Sequence, residues 1–192
     1  IEKIAESKNT GNESLINETS IAQPILFAIQ ISLCKLWESL GVIPSRVIGH
    51  SLGEYAAATV AGVLDVEQAT IIVIERGNLM QSMCPSGGMM AVKHDIGQLK
   101  IMLEDFPKLE ISAINQSQEA VIGGEQQALG GLSKALEDQG IETRKLPVDR
   151  AFHTKLMAPV EEPFADFLSS FKFRSPEIPM ALSVTGDWAA ED

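Results

Sequence analysis

At 192 residues and 45% hydrophobic content the chain is long enough to bury one sizeable core, and its 21% charged fraction is that of a folded protein. A formal net charge of −11 argues against nucleic acid or an anionic membrane surface as the main partner. The apolar stretches are read as too short to span a membrane, no leader segment is expected, and Cys34 and Cys84 are read as ordinary reduced thiols of a cytoplasmic protein.

Residues 3–19 are polar and rich in Ser, Asn and Glu, which predicts a loop or a frayed helix. From Ile21 apolar residues recur at helical spacing (Ile25, Ala28, Ile29, Leu33, Leu36, Leu40) until Gly41. Val47-Ile48 has strand character, Gly49-His50-Ser51-Leu52-Gly53 follows, and the alanine-rich stretch 54–63 predicts a helix. Asp65 with Gln68 resembles a capping box opening a helix to about Met83, where Pro85 and Gly87-Gly88 stop it. A strand at 89–92, a helix at 96–106, paired strands at 109–114 and 120–123, a helix at 126–139 and a strand at 141–148 come next. That β-α-β-β-α-β order predicts a ferredoxin-like subdomain over 88–148, inserted into a main body of residues 1–87 and 149–192. The chain returns through Arg150-Ala151-Phe152-His153, a helix at about 156–171 and a strand near Pro179. Both ends read as cut, because Ile1 is not an initiator methionine and the last strand lacks a closing element.

Gly49-x-Ser51-x-Gly53 between a strand and a helix predicts a nucleophile elbow. The serine must occupy a strained turn that lifts its Oγ from the sheet edge. Both glycines are expected where backbones pass too close for a Cβ. The helix that starts there aims free N–H groups and its positive dipole end at the same point, and the N–H of Leu52 is the expected first oxyanion donor. The competing reading is a tight turn with a surface serine. A serine needs a base, and there are three histidines. His50 neighbours the nucleophile and should point away from it, lining the pocket or packing. His94, between Lys93 and Asp95, reads as a solvated surface residue. His153 is the candidate by elimination, against the alternative of a structural histidine beside Phe152. Arg76 falls in an apolar stripe with Ile72, Leu79, Met80 and Met83, and a guanidinium there must find an anion. It either pairs with a distant Asp or Glu of the chain, snorkels to solvent, or grips a substrate carboxylate at both oxygens.

Taken together these segments resemble the malonyl-CoA:acyl carrier protein transacylase family, most closely the acyltransferase domains of modular type I polyketide synthases. The resemblance covers almost the whole chain. It rests on Gln23-Pro24 with Leu26-Phe27-Ala28, on Gly49-His50-Ser51-Leu52-Gly53-Glu54-Tyr55 with Ala61-Gly62-Val63-Leu64, and on Arg76-Gly77 with Leu79-Met80-Gln81. Asn115 ahead of Val121-Ile122-Gly123-Gly124, Ala151-Phe152-His153, and Ser183-Val184-Thr185-Gly186 complete it. The resemblance implies an α/β fold, an α/β-hydrolase-like core with the inserted ferredoxin-like subdomain, truncated at both ends. It implies Ser51 as nucleophile and His153 as base, with Arg76, Leu52, His50, Asn115, Phe152 and Gln23 as substrate-binding residues. The family's glutamine-bearing oxyanion loop is expected before Ile1 and its closing strands after Gly186. Two departures stand out: Ser183 replaces a familiar asparagine, which is expected to matter little, and Arg150 stands where a histidine or small residue is commoner.

The implied reaction carries a malonyl group from malonyl-CoA through an acyl-serine to the phosphopantetheine thiol of an acyl carrier protein, a nearly balanced thiol-to-thiol exchange, with other domains of a larger synthase chain as neighbours. No metal and no cofactor is implied. The alternatives are a serine thioesterase or esterase of α/β-hydrolase type, in which Asp149 is too near His153 in sequence to orient it, and an inactive fragment. Arg144, Lys145, Arg150 and Lys155 form a candidate basic patch for coenzyme A phosphates and an acidic carrier, or else a solvated strand edge.

Overall fold

A computed structural model describes residues 15–189, so most of the polar stretch 3–19 lies outside the described residues; Leu15–Asn17 form a 3-10 turn. The described chain is an α/β fold in two compact units, one of residues 15–19 and 80–162, the other of residues 20–79 and 163–189.

In the second unit, α1 (Thr19–Ser39) runs two residues longer at its start than the apolar pattern, with Pro24 inside it. Phe27 and Gln23 are buried, whereas Leu33, Leu36 and Trp37 are exposed. Contrary to the sequence reading, this helix is long and apolar enough to cross a membrane by length and composition alone. Strand β1 (Val47–Ile48) leads into α2 (Gly53–Val60), and α3 (Val66–Met83) follows. The capping box forms as the sequence predicts: Gln68 N–H donates to Asp65 Oδ1 at 2.8 Å and Asp65 N–H to Gln68 Oε1 at 3.3 Å. Phe27, Ala56, Leu64, Ala69, Ile72 and Val73 make the core here, with Phe164, Phe167 and Phe171 packed against it.

The first unit holds β2 (Gly88–Val92), α4 (Ile96–Leu103), β3 (Leu109–Gln116), β4 (Glu119–Gly124), α5 (Gln126–Glu137) and β5 (Thr143–Lys145). Its four strands lie in the order β3-β4-β2-β5 with every neighbouring pair antiparallel. Leu129, Leu132 and Leu136 recur at helical spacing on α5 and are buried with Met90, Val92, Leu99 and Ile122. Each such leucine contributes roughly 1.5–3 kcal/mol relative to exposure. The last strand is shorter than the expected 141–148, because only Thr143, Arg144 and Lys145 pair with β2. The unit also reaches beyond 88–148 at both ends.

The expected single helix at 156–171 is instead a 3-10 turn, Lys155–Val160, followed by α6 (Glu161–Leu168). Pro159 lies inside the 3-10 turn, and its missing N–H and ring disfavour a continuous α-helix there. Strand β6 (Met180–Ala181) then pairs parallel with β1 in the second unit, Val47 opposite Met180.

Candidate active site

Ser51 sits between β1 and α2 with φ 53°, a left-handed conformation rare for a residue with a Cβ. The turn is closed by Gly53 N–H to His50 O at 2.9 Å and Glu54 N–H to Ser51 O at 3.0 Å. A Cβ on Gly49 would come within 2.3 Å of Glu54 N and of Gly53 C and O. These are backbone atoms and cannot step aside. Gly49→Ala should therefore cost several kcal/mol, about 3 or more as for other severe backbone clashes, and a denaturant melt of the variant checks it. Gly53 is different from the expectation. A Cβ there meets nothing nearer than Gln30 Nε2 at 3.8 Å, so close approach among the described residues does not require that glycine.

Arg76 projects from α3 as a half-buried cation. Its Nη1 donates to Gln23 Oε1, and its guanidinium lies 5.7 Å from the ring centroid of Tyr55 on α2. Burial pulls the Arg76 pKa below the ordinary arginine value, while the Tyr55 hydroxyl and Glu54 act in the opposite direction. Burial likewise raises the Tyr55 pKa, against the opposing charge of Arg76. Among the described residues no carboxylate forms an ion pair with Arg76. The distant-salt-bridge reading of this arginine thus finds no partner among the described residues. Tyr55 was not singled out from the sequence, where it is one letter in an alanine-rich helix; its place one turn after Ser51 was the available signal.

His50 is exposed and borders a groove with Gln30, Cys34, Arg46 and Ala56. Glu54, in the first turn of α2, accepts from Ser183 N–H at 3.0 Å and Ser183 Oγ–H at 2.7 Å. Ser183, expected to matter little, thereby ties the segment after β6 to the helix that follows Ser51.

In the other unit, His153 has φ 59°; among the described residues, Ser51 and His153 are the non-glycine positions with positive φ. Each such position costs on the order of 1–3 kcal/mol, and such strain clusters at active sites. His153 is exposed and Phe152 half-buried, on a strap that Ala151, fully buried, and Thr154 hold in place. Thr154 Oγ–H donates to Ala151 O at 2.7 Å, and Glu110 of β3 accepts from Lys155 N–H at 2.7 Å. Asn115, on β3, is exposed. Asp149 Oδ2 is engaged by Arg150 at 2.9 Å and by Gln81 at 3.3 Å.

The basic patch expected around His153 does not form as a set. Arg150 is buried and hydrogen-bonded, and Lys155 pairs with Glu110 at 3.1 Å, leaving Arg144 and Lys145 exposed on β5. The Lys155 N–H, aided by its ammonium, holds the Glu110 carboxyl below the ordinary glutamate value. A depressed carboxyl stabilises the fold above its unfolded pKa, and that contribution disappears as pH falls through the folded value. Glu110→Gln should melt below the parent at pH 7, with the gap closing progressively as pH falls below the ordinary glutamate value of about 4.3, in paired melts across that range. Burial also pushes the Cys84 thiol up, against the field of Arg150, which disfavours its reactive thiolate. Among the described residues no group of three or more His, Cys, Asp or Glu could hold a metal ion.

An α/β chain whose serine occupies a left-handed turn between a strand and a helix has the backbone of a nucleophile-elbow enzyme. The chain belongs to the acyl transferase domain family, whose model matches residues 3–191. It is 38% identical over 181 residues to the mycoketide-CoA synthase of Mycobacterium tuberculosis, covering 94% of this chain and 4% of that protein. It is also 38% identical over 169 residues to a polyketide biosynthesis acyltransferase homologue of Bacillus subtilis, covering 86% of this chain and 51% of the relative. Among solved structures it is similar to the acyltransferase domain from the second module of the salinomycin polyketide synthase, with TM-score 0.85 and 34% identity, over 100% of this chain and 46% of that one. The malonyl CoA-acyl carrier protein transacylase from Burkholderia pseudomallei matches with TM-score 0.84 and 27% identity, over 91% of this chain and 61% of that one. The chain thus spans about half the length of the shorter relatives and a few per cent of the longest.

Proposed function

We propose that this chain is the nucleophile-bearing part of an acyltransferase that moves malonyl groups from malonyl-CoA to the phosphopantetheine thiol of an acyl carrier protein, in the cytoplasm and within a larger synthase. The observation that carries the substrate is Arg76: a half-buried cation, held by Gln23 and Tyr55, with no carboxylate of the described chain paired to it. A malonyl carboxylate is the anion such a seat lacks. The fold accords with an α/β-hydrolase-like core, by its parallel β1–β6 pair beside the elbow, and with a ferredoxin-like subdomain, by its β3-β4-β2-β5 order.

In the proposed reaction His153 takes the proton of Ser51 Oγ, which attacks the thioester carbonyl. The Leu52 N–H stabilises the oxyanion, and coenzyme A leaves as a thiol with the proton that His153 returns. The carrier's thiol then attacks the malonyl-serine ester, its proton passing to His153 and on to Ser51 as the ester breaks. No electrons change hands, so no redox cofactor enters. His50 and Asn115 are assigned to the walls of the substrate site. Phe152, before the base, is assigned to the acyl pocket, where a phenyl ring leaves little room for an α-methyl group.

The test is a panel of malonyl-, methylmalonyl- and acetyl-CoA, with transfer to a carrier protein and release of free acid both measured. Malonyl transfer should exceed hydrolysis, and malonyl should be preferred over methylmalonyl by ten- to two-hundredfold, about 1–3 kcal/mol for one methyl group. Phe152→Ser should narrow that ratio. Hydrolysis outrunning transfer would make this a thioesterase, and equal use of the two acyl groups would remove Phe152 from the pocket.

A further inference from the structure

Arg150 is a charged residue that the proposed chemistry does not use, and it is 8% exposed. Its guanidinium cannot shed its charge, so burial demands acceptors. It finds them in two places. Nη2 donates to Gln81 O at 2.7 Å and Nε to Met80 O at 3.3 Å, both carbonyls of the last turn of α3. Nη1 donates to Asp149 O at 3.0 Å and to Asp149 Oδ2 at 2.9 Å. A helix C-terminus carries free carbonyls and the negative end of the dipole, so a cation there is favoured twice over. Asp149 is held in turn by Gln81 Nε2 at 3.3 Å, and its carbonyl also accepts from Gly87 N–H at 3.0 Å.

These contacts fix the chain just ahead of His153. Ala151 is 0% exposed and lies close against Gly87, where an added Cβ would come within 3.0 Å of the Ala151 Cβ. Thr154 Oγ–H to Ala151 O, at 2.7 Å, closes the strap on the far side of Phe152 and His153. His153 therefore takes its φ of 59° within a span of four residues anchored at both ends. An unfavourable dihedral persists only where its surroundings over-determine it. With its donors engaged internally, Arg150 is also not a phosphate ligand at the surface.

We propose that Arg150 is a positioning residue for His153: by capping the last turn of α3 it anchors the strap and holds the base in its left-handed conformation. This rests on the reading of His153 as the base, and the test separates the two. Arg150→Met and Arg150→Lys are made in the protein at its natural length, with circular dichroism to establish folding. Steady-state malonyl transfer gives kcat and KM, and histidine NMR, assigned with His153→Gln, gives the titration midpoint of the His153 imidazole. Arg150→Met should lower kcat ten- to a hundredfold, the scale of a misplaced catalytic group, with KM for malonyl-CoA within about twofold. Arg150→Lys, which keeps the charge but loses the fork, should fall between Met and the parent. Both should move the His153 midpoint. A shifted midpoint in a protein whose His153→Gln form keeps full activity would uphold the anchoring and overturn the base. Either variant, folded, with the parent's kcat and midpoint would overturn the proposal; if Arg150→Met does not fold, Arg150→Lys decides it.

Discussion

Incubated with malonyl-CoA at its natural length, the protein should gain one malonyl adduct, and Ser51→Ala should gain none. The expectation follows from the elbow: a left-handed serine between β1 and α2, closed against a glycine that admits no Cβ, places a hydroxyl at the start of a helix. Alanine retains the strained backbone but has no oxygen to acylate. Transfer should fall at least a thousandfold, the scale on which removal of a nucleophile acts in serine enzymes. Intact-mass measurement reads the adduct directly, and peptide mapping locates it. An adduct that survives the substitution would move the nucleophile elsewhere in the chain.

Arg76→Ala should erase the preference for malonyl over acetyl while leaving some acetyl reactivity. The guanidinium is half-buried, donates to Gln23, and faces the Tyr55 ring without a carboxylate partner among the described residues. An incoming carboxylate would pair with it at a desolvated site, and losing such a contact costs on the order of 3 kcal/mol, over a hundredfold. The ratio of kcat/KM values for the two acyl groups is the measurement. A ratio unchanged by the substitution would leave Arg76 a structural cation held by Gln23 and Tyr55. Arg76→Lys should restore little, since an ammonium does not reproduce the planar fork that grips both carboxylate oxygens.

Much of this fold is legible in the sequence because its signals are local. The Asp65–Gln68 box, the leucines of α5 and the glycine-flanked serine each fix structure through neighbours a few residues away. The misses have the opposite character. The break after residue 160 was hidden because the apolar pattern continued through Pro159, whose lost N–H outweighed it. Gly53 looked obligatory by symmetry with Gly49, yet space depends on what approaches it, which spacing does not reveal. Arg150 read as part of a basic surface because Arg144, Lys145 and Lys155 are near it in sequence. Its carbonyl partners at Met80 and Gln81 lie some seventy positions away. Tyr55 went without a role and Ser183 was discounted for the same reason, since Arg76 and Glu54 meet them only through the fold.

The left-handed backbone at Ser51 and His153 sets selection for robustness against selection for turnover. Glycine adopts that conformation without a steric penalty, so at both positions it is the substitution that heat resistance alone would favour, offset in part by the freedom it gives the unfolded chain. A lineage, or a laboratory library, screened only for survival at high temperature would drift towards glycine at the two residues that are assigned the chemistry. Thermal variants of such a protein are therefore safely chosen only when every round also counts product.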